Sequence, residues 1–397
     1  MTATVYGAGV RQRATMPARH GPSGVMSARF AQNLANAEKA IGEPFVGVTA
    51  DGKPVPGLFP LRGTGVSTAP IKAAAEAFLA ALQPQQRAAA GFALDSDAWQ
   101  RWNNTHPFLM RHGALLEEMT DAQREAALGL LRAGLSERGF QTARDIMRLN
   151  YTIGEITGSW EEYGEWVYWL SVFGTPSDDE PWGWQIDGHH LILNCLVLGD
   201  QLVLTPAFMG SEPVHAEDGK YAGTRVLEEE ERSGYELIQS LSPEQRRKAM
   251  PYAEMENTQG FDGWLKGGAW RDNLVLPYEG IRAADLTSGQ RDLLLRVVGT
   301  YVGHIRPGHS ELRLDEVKRH IEETHLLWMG GTEADSVYYY RIHSPVVLVE
   351  FDHQRGVAFD NDTPSRNHIH TMVRTPNGGD YGRDLLRQHY EQHHRAK

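Results

Sequence analysis

Two short stretches carry residue types that could do chemistry. Gly188-His189-His190 follows Asp187 and opens an apolar strand beginning at Leu191. Far downstream, Asn367-His368-Ile369-His370 offers two histidines separated by one residue. On a strand, residues i and i+2 share a face, so His368 and His370 present both imidazoles together. Imidazole suits zinc, iron, copper or nickel, and a site with three protein ligands keeps coordination positions open for water or substrate. His190 and Glu350 are the candidates to complete such a set. His189 and His190 are adjacent and so point to opposite faces. His190 shares its side with Ile192 and Asn194 and is the favoured ligand, while His189 lies with Leu191, Leu193 and Cys195. The plainer alternative makes these residues strand-edge histidines with local hydrogen bonds.

Other groups could serve the same centre. Glu350 ends the apolar run Val346 to Val349, and a buried carboxylate must be paired, hydrogen-bonded or metal-bound. Arg341 and His343 share one strand face, as a clamp for an anionic substrate, as an orienting pair for Glu350, or as an ion pair between strands. Arg374 precedes the loop Pro376 to Gly382, whose glycines permit a tight backbone, but no Lys-Ser/Thr follows as a Walker loop requires. His389 and His393 stand one helical turn apart beside His394, and read as a solvated helix face. There is no His-Glu-x-x-His, no Gly-x-Ser-x-Gly and no Gly-x-Gly-x-x-Gly after a strand.

Elements must position these groups. A Ser, Thr or Gln followed three residues later by Gln-Arg recurs at Gln83, Thr120, Ser242 and Thr287. Where the first residue is Ser or Thr this is a capping box, and the unequal intervals exclude a solenoid. Helices are expected over 71–82, 84–93, 122–135, 137–157, 243–252, 289–302 and 312–324, with a first helix over 26–41 and a last over 381–394. Strands are expected over 165–173, 190–197, 201–205, 325–329, 337–343, 346–351 and 368–373, with Gly199-Asp200 as a hairpin turn. Helices first and strands later, without βαβ alternation, predict an α+β fold: a helical N-terminal half packed on a mainly antiparallel sheet. Residues 1–66, rich in Gly, Ala and Pro, read as an extended arm, and 67–397 as one domain.

Composition narrows the function classes. The net charge of −12 over 397 residues argues against a nucleic-acid partner, which wants a basic face. No apolar run approaches the roughly 20 residues of a membrane span, and Met1 to Arg29 lacks the apolar core of a secretory signal. Cys195 is the single cysteine, so neither a disulfide framework nor a cysteine zinc cage can form. A cytoplasmic protein with a small-molecule substrate is the expectation; the sequence does not speak to oligomeric state.

Several separated motifs also stand in a familiar order: Pro181-Trp182-Gly183-Trp184, Gly188-His189-His190-Leu191 to Asn194, Phe208-Met209-Gly210, Tyr340-Arg341-Ile342-His343 and Asn367-His368-Ile369-His370. Together they resemble a family catalogued as domain of unknown function 3500. The resemblance runs from about Ala69 to the C-terminus and implies one domain after the lead-in, with no activity to carry over.

The residues then predict a metal-dependent enzyme. His190, His368, His370 and the neighbouring His189 supply ligands for a divalent transition metal (Zn, Fe or Cu). Glu350 or His343 would move protons, and Arg341 and Arg374 would hold an anionic group. Hydrolysis of a small polar or anionic molecule is the leading reading, since nothing calls for a redox cofactor. Paired strand histidines with a carboxylate also fit a non-haem iron or copper oxygenase. A third class is a binding protein whose Trp99, Trp102, Trp166, Trp169, Trp182 and Trp184 wall a cleft for a carbohydrate or aromatic ligand.

Overall fold

The computed structural model describes residues 9–10, 28–104, 111–160, 162–252 and 265–393. Most of the expected arm before Ala28, together with His394, lies outside them. Helix α1, Ala28–Ile41, is followed by an extended stretch in which Thr49 exchanges backbone hydrogen bonds with Leu274 and Leu276.

The remaining elements fall into two runs of the same plan. The first holds α2 (Ala69–Ala81), α3 (Pro84–Ala90), β1 (Gly91–Phe92), β2 (Ala114–Leu115), α4 (Asp121–Gly134) and α5 (Glu137–Thr157). Its strands follow: β3 (Tyr168–Phe173), β4 (Trp182–Gly188), β5 (Leu191–Leu198), β6 (Gln201–Val203) and β7 (Ala207–Ser211). The second run holds α6 (Glu228–Ser240), α7 (Pro243–Ala249), β8 (Ile281–Arg282), α8 (Ser288–Val302) and α9 (His309–Arg319). Then come β9 (His325–Gly330), β10 (Tyr338–His343), β11 (Leu348–Arg355) and β12 (Pro364–Arg374), and α10 (Arg383–His393) closes the chain.

Strand order across the single sheet is β1-β3-β4-β5-β7-β12-β11-β10-β9-β8, with β2 added to β3 and β6 to β5. Apart from the short parallel β1–β3 pair, the ladders are antiparallel. The long strands therefore form a palindrome about the β7–β12 pair, the order of two like units related by an approximate two-fold axis. The ladder Trp169–Asp187–Ile192 of the first unit has its counterpart in His325–His343–Leu348 of the second. The units also meet reciprocally on the helical side: Ser136 donates its N–H to the His304 carbonyl and Arg306 donates to that of Gly134.

The helix starts explain why this plan closes. Thr120, Ser242 and Thr287 accept from the third residue of their helices while Gln123, Gln245 and Gln290 reach back to the cap amides. Gln86 reaches back to the Gln83 amide in the same way. The glutamines then pair across helices, Gln123 with Gln86 at 2.7 Å and Gln245 with Gln290 at 2.9 Å. Each unit thus locks two helix N-termini together with one amide pair. The repeated pattern is a set of helix starts, and it also marks an internal duplication.

The α+β expectation holds, with strands concentrated after residue 168. Trp182–Gly188, unassigned in the sequence reading, is a central strand, and Phe208-Met209-Gly210 lies on another, β7. Alternation sorts the two faces of the sheet. Trp182, Trp184, Cys195, Tyr340 and Phe351 join the apolar core under the helices, including Leu128, Leu131, Ile146 and Val298. The opposite face carries Gln185, Asn194, Asp352, Glu350, Arg341 and Arg374, all buried. It is roofed by segments that contribute Trp99, Trp102, Leu265, Ala269 and Tyr381. A buried polar face costs free energy unless its groups are hydrogen-bonded, and most of these are.

Candidate metal centre

Where β7 and β12 pair, Gly210 stands opposite His370. His368 lies two residues earlier on the same face of β12, and His190 closes the turn between β4 and β5. The three Nε2 atoms converge: His190 is 3.2 Å from His368 and 3.0 Å from His370, and His368 is 3.0 Å from His370. All three side chains are buried.

His190 reaches this position through a left-handed backbone, φ 64°, unusual for a residue with a Cβ. Its carbonyl accepts from the Gly210 N–H at 2.9 Å, which ties the turn to β7. His189 turns away, its ring 3.9 Å from that of His190 and its Nδ1 2.8 Å from the Asn150 Oδ1 on α5. The structure therefore seats His190 in the cluster and His189 behind it. The Tyr168 hydroxyl donates to the His189 carbonyl, holding the turn from β3.

Tautomers decide what the cluster can do. His368 Nδ1 lies 2.7 Å from the Arg355 carbonyl, which can only accept, so the neutral ring carries its proton there and offers a lone pair at Nε2. The Glu212 carboxylate, 3.7 Å from the same Nδ1, reinforces that arrangement. Burial holds His190 and His370 well below the ordinary histidine range, and the neighbouring His368 adds to this for both. Three ring nitrogens sit at mutual hydrogen-bond distance, yet each must be either donor or acceptor. At least one edge of the triangle sets like against like. A cation at the centre removes the conflict by accepting three lone pairs, so the donor set fits a metal ion.

The edges of 3.0–3.2 Å are short enough for one ion to reach all three Nε2 atoms. Three imidazole ligands would leave both charges of a divalent ion unneutralised, the condition for a strong Lewis acid.

The other anticipated residues sit on the same sheet face, engaged elsewhere. Glu350 accepts from the Lys266 and Gly267 amides at 2.8 and 2.7 Å and from the Tyr339 hydroxyl at 2.6 Å. Arg374 donates to the Gly267 and Gly268 carbonyls and pairs with Asp272 and Asp380. Arg341, 2% exposed, pairs with Glu279. His343 is buried with both ring nitrogens lacking a partner among the described residues, against the Tyr278 ring at 4.6 Å. The Pro376–Gly382 loop is filled by the chain itself: Asn377 donates its N–H to the Val48 carbonyl, and Gly378 lies against Gly47. His389 lies 3.4 Å from Glu180.

Residues not singled out in the sequence complete the surroundings. Asp352 stands opposite His370 in the β11–β12 ladder, fully buried, and accepts from the Gln354 side chain. Its alternation with Glu350 on one strand face was the available signal. Of the six tryptophans read as a cleft, Trp99, Trp102, Trp182 and Trp184 are fully buried core residues. Trp166 does line an open cleft with Tyr151, Trp160, Tyr163 and Lys220. Its Tyr163 ring lies 5.2 Å from that of His189, which backs His190.

A family description, Protein of unknown function (DUF3500), matches residues 64–383. No curated protein and no solved structure matches the chain. Among the described residues, no helix is long and apolar enough to cross a membrane.

Proposed function

We propose that this chain, which belongs to the DUF3500 family of proteins of unknown function, is a metal-dependent enzyme whose ion is held by His190, His368 and His370. One observation carries the reading: three buried Nε2 atoms converge at 3.0–3.2 Å, and the His368 Nδ1 faces the Arg355 carbonyl so that its Nε2 is left to ligate. Hydrolysis of a small polar molecule is the leading reaction, because an ion with only neutral ligands polarises water and carbonyl or phosphoryl oxygens strongly. Asp352, opposite His370, is the carboxylate suited to move the proton. The cleft bounded by Tyr151, Trp160, Tyr163 and Trp166 backs onto the same corner and supports a substrate with an apolar or ring-shaped face. A cytoplasmic setting accords with the lone, buried Cys195.

A second reading, oxygen chemistry on iron or copper, rests on the same three imidazoles, which suit those metals as well as zinc. Elemental analysis of untagged protein distinguishes the readings. Near-stoichiometric metal, lost in folded His368→Ala and His370→Ala variants, is the expected result, and zinc against iron or copper selects the reaction class to assay. A metal-free wild type that gains nothing on incubation with Zn, Fe(II) or Cu would overturn the proposal.

A further inference from the structure

The cleft behind the His189–His190 turn is built in a way that narrows its ligand. It offers about 440 Å³, within the roughly 300–1,000 Å³ of small-molecule sites, and four aromatic rings line it: Tyr151, Trp160, Tyr163 and Trp166. Trp160, 43% exposed, is the one exposed tryptophan among the described residues. Its six-membered ring rests on the bare backbone of α5, where a Cβ at Gly154 would lie 2.8 Å from its Cζ3 and 2.9 Å from its Cε3. Tyr151 flanks it at 5.0 Å, the rings tilted by 55°. The indole is a plate braced against the fold and open to solvent.

Charge decides between ligand classes. The Lys220 Nζ stands 4.5 Å from the centre of the Tyr151 ring and 4.6 Å from that of Tyr221. The Arg124 and Arg144 guanidiniums stand 5.0 and 4.6 Å from the Trp166 ring. The chain already supplies the cations these rings attract, and another cation would be repelled by Lys220. An anion would meet the Glu117 and Glu165 carboxylates on the cleft wall. Glu165 accepts from Arg144 at 2.7 Å and from the Tyr221 hydroxyl, with Lys220 at 3.3 Å. A neutral ligand remains, with an apolar face for the indole and hydroxyls for a rim where half-exposed Lys220 donates and Glu165 accepts.

We propose that this cleft binds a neutral pyranose saccharide, one ring stacked on Trp160 and its hydroxyls reached by Lys220 and Glu165. A pyranose with equatorial hydroxyls, as in a β-linked glucan or xylan, carries its axial C–H bonds on its faces and so presents the apolar surface an indole can cover. The link to catalysis rests on the proposed enzyme, because the cleft touches His190 through the Tyr163 and His189 rings. Binding itself needs no ion, since none of the residues lining the cleft is a metal ligand.

Isothermal titration with cellotetraose and xylotetraose tests the assignment, with sorbitol and tetramethylammonium as comparators. At least one tetrasaccharide is expected to bind saturably at one site, unchanged after dialysis against a chelator, and neither comparator measurably. Trp160→Ala should weaken the sugar by roughly tenfold or more, and Trp160→Phe by less, because the smaller ring keeps part of the stacking surface. Lys220→Met should weaken it by roughly threefold or more through the lost donor. Circular dichroism confirms that each variant is folded. No saturable tetrasaccharide binding, equal binding of sorbitol or tetramethylammonium, or wild-type affinity in the folded variants would overturn the proposal and leave the metal centre untouched. Loss of binding on chelation would move the sugar from the cleft to the ion and overturn it as well.

Discussion

Gly210 faces His370 across the β7–β12 ladder so closely that a methyl group in its place would touch the imidazoles of both His190 and His370. A Cβ there would lie 2.7 Å from the Ile369 carbonyl oxygen, 3.0 Å from the His370 Cδ2 and 3.2 Å from the His190 Cδ2. The backbone contact cannot yield by a rotamer change, so β7 and β12 must shift apart and carry the rings with them. Gly210→Ala is expected to cost about 1–3 kcal/mol of stability through overpacking. It should also weaken metal binding by about tenfold or more although every ligand remains, because ligation needs the rings held in place. Metal content and melting temperature measured together check this; wild-type affinity in the variant would show that the triangle does not depend on Gly210.

Glu350 and Arg374 hold one loop from opposite sides. Gly267 gives its N–H to Glu350 and receives the Arg374 Nε–H on its carbonyl. Glu350→Gln would turn an amide group toward these backbone donors, so it should cost about 1–3 kcal/mol and speed proteolysis near residue 265. Metal stoichiometry should not change. Loss of metal in a stable Glu350→Gln protein would instead restore Glu350 to the coordination sphere.

How much of this was legible depended on the range of the interaction. Period-two spacing placed His368 and His370 on one face, and the glutamine caps placed helix starts within a residue or two, because both are local. Glu350 was legible as a buried acid but its role was not, since its partners are backbone amides 83 and 84 positions away. The duplication was hidden for a related reason. Equivalent ladder positions hold Trp169, Asp187 and Ile192 in one unit and His325, His343 and Leu348 in the other. Backbone hydrogen bonds preserve the plan while two of these three side-chain pairs, Trp169/His325 and Asp187/His343, change chemical type.

The amide pairs make the duplication measurable. Gln290 caps its own helix, donates to the Ser240 carbonyl and exchanges hydrogen bonds with Gln245. Gln290→Ala should cost about 1–2 kcal/mol as a lost cap and a broken buried pair. Adding Gln245→Ala should cost less than the sum by about 0.5 kcal/mol or more, whereas Gln123→Ala, in the other unit, should add. Denaturant unfolding of the three singles and two doubles decides it. Additivity within the Gln245–Gln290 pair would mean that the contact holds nothing together.

His343 gives a prediction in pH. Burial, aided by Arg341 and His325, pushes its pKa down to about 3, and neither ring nitrogen has a hydrogen-bond partner among the described residues. In the unfolded chain the same group titrates near 6.5, about the ordinary value. Between those limits the unfolded state binds a proton that the folded state refuses, so stability falls as pH drops from about 6.5 toward 3. His343→Leu removes the titration and two unsatisfied nitrogens while retaining an apolar body against Tyr278. It should be at least as stable as wild type at pH 7 and lose less of its melting temperature between pH 7 and pH 4.5. If the two acid limbs run parallel, the proton uptake that destabilises the fold belongs to another group, and His343 must already find a proton acceptor or donor in the folded protein.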